Sequence, residues 1–175
     1  MGMDVHGLNP KQNKSMKEFP ILFKYEEMTK DDDDDDGFKQ KWKELDNDKE
    51  LREQYWKEED EYQKINSGVY FRNNCWWWRP LWDYCKQVAP DLIDNELYQA
   101  GHNNSGAGLD DKGAKALGTR LLQEINDGKT IKYQAEYQQQ QYDSDYKFAS
   151  YYPFDIDNVK EFADFCIQSG GFEIC

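Results

Sequence analysis

The chain has 175 residues, 15% of them aromatic, and a net charge of −13. That length fits one domain with a real core and room for an insertion, while a mean hydropathy of −1.09 confines the core to part of the chain. The acidic balance argues against a nucleic acid polymer as partner, because such binders carry a basic face; it leaves open a small anion held by a few arginines, or an acidic surface that imitates DNA.

In chain order, residues 3–7 read as a short strand ending at Gly7, and Asn9-Pro10 as a turn. The apolar patch Phe19 to Tyr25 is compatible with a pairing strand. Asp31 to Asp36 is an unbroken acidic run closed by Gly37; adjacent like charges favour a solvated chain, so residues 31–37 are expected to be a linker. A calcium loop needs spaced ligands and a closing Glu, which this run lacks. Across residues 38–66, Phe38, Trp42 and Leu45, then Leu51, Tyr55, Tyr62 and Ile65, make two helical stripes that lose phase near Asp46-Asn47-Asp48, which predicts either two helical segments or one long helix with a kink. Residues 31–66 hold 15 acidic and 7 basic side chains. Residues 11–66 thus read as an acidic, partly helical arm inserted into a compact domain made of residues 1–10 and 67–175.

That domain resumes with a strand at Val69 to Arg72, and Pro80 suits the first position of a helix bearing Leu81, Tyr84, Cys85 and Val88. Residues 99–109 form a Gly-rich polar loop. Asp110 is a candidate N-cap for a helix with Ala114, Leu117, Leu121 and Ile125 inward, stopped by Gly128. Another helix is expected over residues 129–141, with Ile131, Tyr133 and Tyr137 as its apolar residues. A last one carries Val159, Phe162, Ala163 and Cys166, ends at Gly170-Gly171, and leads to a strand at residues 172–175. Short strands at both ends with helices between predict an α+β fold, a small sheet with several packed helices.

Met1 to Gly7 lacks the apolar run of a signal peptide, and no segment has the roughly 18 consecutive apolar residues of a membrane span. The four cysteines, Cys75, Cys85, Cys166 and Cys175, form no CxxC pair. The expectation is a cytoplasmic protein with reduced thiols and no membrane partner.

The opening Met1-Gly2-Met3-Asp4-Val5-x-Gly7, the centre Tyr70-Phe71-Arg72-Asn73-Asn74-x-Trp76-Trp77-Trp78-Arg79-Pro80-Leu81, the segment Tyr152-Pro153-Phe154 and the closing Gly170-Gly171-Phe172-Glu173-Ile174-Cys175 together resemble a group of small proteins that recur in bacteriophage and prophage genomes. The resemblance covers about half of the chain, with the acidic arm outside it. It implies a cytoplasmic accessory protein of phage origin and brings no activity with it.

The central segment is the strongest functional signal, with four of the six tryptophans inside residues 70–82. Trp and Arg dominate binding hot spots. Tyr70, Trp76, Trp77 and Trp78 offer stacking faces for a nucleobase. Arg72 and Arg79 offer donors for phosphate, and Asn73 and Asn74 offer paired donor and acceptor groups for a base or ribose edge. The competing reading makes several tryptophans core and pairs the arginines with carboxylates. Three consecutive tryptophans cannot all face inward. His102, Asn103, Asn104 and Ser105 add polar groups in the Gly-rich loop, which reads either as an anion cradle or as a surface loop. His6 and His102 have no ligand partner at metal-site spacing, no nucleophile motif is visible, and no cofactor or metal is expected. The function these residues favour is non-enzymatic sequestration of a small nucleotide-like ligand, such as a cyclic or NAD-derived signal of bacterial immunity. The alternative is an acidic inhibitor, a DNA mimic that occupies the basic groove of a host nuclease or DNA-binding protein of the defence machinery. The sequence leaves the oligomeric state open.

Overall fold

A computed structural model describes residues 2–30, 35–145 and 148–175. They form two compact units, one made of the residues up to Lys11 with Ser67–Cys175, the other of Gln12–Asn66. The strands are β1 (Gly2–Gly7), β2 (Tyr70–Asn74), β3 (Ala107–Asp110) and β4 (Gly171–Ile174); the helices are α1 (Pro20–Met28), α2 (Asp35–Asn47), α3 (Lys49–Ile65), α4 (Cys75–Val88), α5 (Asn95–Ala100), α6 (Asp111–Asn126), α7 (Lys129–Tyr142) and α8 (Ile156–Gln168). Among the described residues no helix is long and apolar enough to cross a membrane.

The larger unit is an α+β fold around a fully antiparallel sheet of order β2-β1-β4-β3. Side chains alternate across a strand, so Met3, Val5, Phe71, Phe172 and Ile174 point into the core, while Asp4 and His6 pair in register with Arg72 and Tyr70 on the opposite face. The buried face packs against α4, α6 and α8, whose stripes Trp78-Leu81-Cys85, Ala114-Leu117-Leu121 and Val159-Phe162-Cys166 are fully or almost fully buried. The crossing of α6 and α8 is close at Gly118, where an added Cβ would sit 2.5 Å from the Ala163 carbonyl oxygen. Gly170 and Gly171, at φ +63° and +96°, turn the chain from α8 into β4.

The smaller unit is a three-helix assembly. Residues 19–25, expected to pair as a strand, form instead the N-cap (Phe19) and first turns of α1. Pro20 sits in its first turn, and Leu22 and Tyr25, three apart, share its buried face. Asp35, Asp36 and Gly37, expected in the linker, lie in the first turn of α2, where carboxylates favour the helix dipole; Asp31 to Asp34 lie outside the described residues. The lost phase at residues 46–48 is the break between α2 and α3, and Asp48 caps α3 through the Leu51 N–H at 3.0 Å. Phe19, Leu22, Tyr25, Leu45, Tyr55 and Tyr62 are buried. The two ends of the unit are clamped together. The buried Asn66 accepts at Oδ1 from the Asn13 and Lys14 N–H groups at 2.8 and 3.1 Å, and Asn13 Nδ2 donates to the Ile65 carbonyl at 2.8 Å.

Candidate functional site

Helix α4 starts at Cys75, five residues before Pro80, which lies inside the helix and not at its first position. The stronger start signal is Asn74, whose Oδ1 accepts from the Trp76 and Trp77 N–H groups, both at 3.0 Å. Replacing Asn74 by Ala removes both bonds and is expected to lower stability by about 1 kcal/mol, read from thermal melts.

The helical period then sorts the tryptophans. Trp76 and Trp78 fall about 200° apart, and Trp78 and Trp82 lie on one face. Trp78 and Trp82 are fully buried and stacked, with ring centroids 5.3 Å apart. Their Nε1–H groups donate to the Gly101 carbonyl at 2.7 Å and the Tyr98 carbonyl at 3.1 Å. Trp78, expected to be a ligand contact, is therefore a core residue. Trp76, Arg79 and Asp83 share the opposite, exposed stripe.

Beside that stripe opens a cleft of about 670 Å³ lined by Asn74, Trp76, Trp77, Phe148, Ser150, Tyr151 and Pro153. Three of its aromatic rings remain open to solvent: Trp76 is 42% exposed, Phe148 43% and Tyr151 57%. Phe148 and Tyr151 stack at 5.6 Å, and Trp76 meets Tyr152 edge-on at 4.8 Å. A shallower depression of about 430 Å³ is lined by Arg79, Asp83, Tyr137, Gln140 and Tyr152, among others. Tyr152 touches both sides: its ring packs on Trp76, while its hydroxyl accepts from the Arg79 guanidinium at 3.1 Å. The Tyr137 hydroxyl on α7 donates to the Tyr152 carbonyl at 3.0 Å, tying this segment down.

The remaining expected site residues are elsewhere. Tyr70 and Arg72 lie on the sheet face away from the core. The Tyr70 hydroxyl donates to Asp4, and the Arg72 guanidinium pairs with the same carboxylate at 3.5 Å. Asn73 donates to Asn158 Oδ1 on α8 at 2.9 Å. The segment expected as one loop over residues 99–109 contains the end of α5 and, from Ala107, strand β3; cross-strand bonds to β4 override its glycines. Asn103 and Ser105 donate to the backbone of α5, and Asn104 to the Gly2 carbonyl at 3.1 Å. His102 packs edge-on against Tyr98 at 4.9 Å with its Nδ1 buried and without a partner. Burial lowers its pKa; the Asp83 carboxylate opposes that shift and Arg79 adds to it.

The sequence reading missed the far wall of the cleft, residues 148–153. The signal was present: Phe148, Tyr151, Tyr152 and Phe154 are four aromatics in seven residues just before a helix. The thiols of Cys85 and Cys166 are buried, and their pKa values are pushed up by that burial. Among the described residues no group of three or more His, Cys, Asp or Glu side chains is placed to hold a metal ion. No protein-family model, curated protein or solved structure matches the chain.

Proposed function

We propose that the cleft beside α4 binds a small nucleotide-like ligand, and that the protein sequesters it without turning it over. The observation that carries this reading is the group of solvent-open rings Trp76, Phe148 and Tyr151 around one cleft, with Arg79 one helical turn from Trp76. Flat exposed rings stack on a base with about 1–3 kcal/mol each, and a guanidinium beside them suits a phosphate. Asn74 spends its Oδ1 on the helix cap, leaving its amide N–H groups at the rim. The resemblance of the chain to bacteriophage proteins supports a nucleotide signal of bacterial immunity as the ligand class.

A thermal-shift panel of cyclic di- and trinucleotides, cyclic ADP-ribose isomers, NAD and ordinary nucleotides tests it. A ligand at 100 times its Kd is expected to raise Tm by about 5–11 °C. Trp76→Ala and Arg79→Ala are expected to abolish the shift, Arg72→Ala to leave it, and the recovered ligand to be chemically intact. A flat panel overturns the reading, and a processed ligand replaces sequestration by catalysis.

A further inference from the structure

The three-helix unit carries a feature that the cleft does not use. On α2 and α3 the rings of Phe38, Trp42 and Trp56 form a ladder whose first step is edge-on and whose second is tilted, with centroid spacings of 6.1 Å for both steps. Phe38 is 54% exposed and Trp56 47%. A helix stripe that served only the core would turn such rings inward, as Leu45 and Tyr55 are turned on the same two helices.

Each rung has carboxylates one helical turn away, on its own side of the helix. Asp35 stands three residues before Phe38 and Asp46 four after Trp42; Glu53 and Asp60 stand three before and four after Trp56. All four are between 65% and 75% exposed. Their partners Lys39, Arg52, Lys49 and Lys64 make surface ion pairs, which contribute little and exchange readily. Residues 12–66 hold 18 acidic and 11 basic side chains, so a second copy of this unit is repelled.

We infer that this ladder is a docking surface for an arginine-rich segment of a protein partner. A guanidinium stacks on an indole face and takes a carboxylate edge-on at the same time, which a strongly hydrated ammonium does less well. Aromatic rungs framed by carboxylates answer both halves of that side chain. The inference concerns the three-helix unit and stands independently of the cleft.

The test uses the full chain and two labelled probes, deca-arginine and deca-lysine, followed by fluorescence anisotropy at physiological salt. Deca-arginine is expected to bind at least about 10-fold more tightly than deca-lysine. Trp56→Ala and Phe38→Ala are each expected to weaken it by roughly 10- to 30-fold, with unchanged circular dichroism and melting. Equal binding of the two peptides, or wild-type binding by both variants, overturns the proposal and reduces the attraction to bulk acidity. Self-association that disappears in Trp56→Ala, seen by sedimentation, also overturns it in favour of a second copy.

Discussion

Replacing Trp78 by Ala is expected to lower stability by about 3–5 kcal/mol, a fall in Tm of roughly 6–20 °C at this chain length. The side chain is fully buried, stacks on Trp82, and meets Phe162 edge-on at 5.5 Å. Truncation leaves a cavity between α4 and α8 and strips the Gly101 carbonyl of its donor. Trp76→Ala, two residues earlier, removes a ring that is 42% exposed and is expected to cost less than about 1 kcal/mol. The contrast between the two variants is the check. Equal losses in a denaturation series would mean that the helix presents its tryptophans differently. Ligand binding is expected to show the reverse order, because Trp76 faces the cleft and Trp78 does not.

Glu26→Ala in the three-helix unit is the second large effect. Lys41 is buried, with 8% of its side chain exposed, and its ammonium pairs with Glu26 Oε1 at 2.8 Å. The same oxygen accepts from the Tyr55 hydroxyl at 2.9 Å, and the ammonium sits 4.8 Å from the Tyr55 ring centroid. Removing one partner of a buried pair costs about 3–5 kcal/mol, because the other charge is stranded away from water. Glu26 is 38% exposed, which lets solvent screen part of that, so the expected loss is about 2–3 kcal/mol. Lys41→Met removes the buried ammonium and leaves a Glu26 carboxylate that solvent and the Tyr55 hydroxyl still reach, so it is expected to cost less than Glu26→Ala, about 1 kcal/mol. In that background Glu26→Ala should cost only about 1 kcal/mol, for the acceptor lost by the Tyr55 hydroxyl. A double-mutant cycle reads the difference, and an undiminished loss with Met at 41 would show that the carboxylate acts through something other than the ammonium.

The helices with long, regular stripes and clear caps were legible in the sequence. Asp110 signals a helix start with its side chain, and Val159, Phe162, Ala163 and Cys166 mark a face that no other element type would produce. Failures arose where two local signals competed. Pro80 announces a helix start, yet Asn74 six positions earlier offers the better cap. The glycines of residues 101–108 announce a loop, yet pairing with a strand over 60 residues away makes part of it β3. Of the apolar residues of α7, Tyr133 and Tyr137 pack on the core while Ile131 is 61% exposed, because only one side of the helix meets the core. At the candidate site, periodicity separates Trp76 from Trp78 once the true helix start is known. The opposite wall, residues 148–153, is brought there by tertiary packing, which no spacing within the central motif encodes.

The clamp at Asn66 changes what the 12–66 excursion costs the sheet. Pairing β1 with β2 must close a loop of some sixty residues, and in a flexible chain each doubling of length adds about 0.6 kcal/mol of closure entropy. Asn66 holds residues 13 and 14 to the far end of the excursion, so once the three helices have formed, the gap between the strands is spanned by about ten residues instead. Roughly 1–2 kcal/mol of closure entropy is thereby moved from the sheet into the helical unit. Local helix contacts form faster than long-range strand pairing, so the excursion acts on the folding sheet as a short turn.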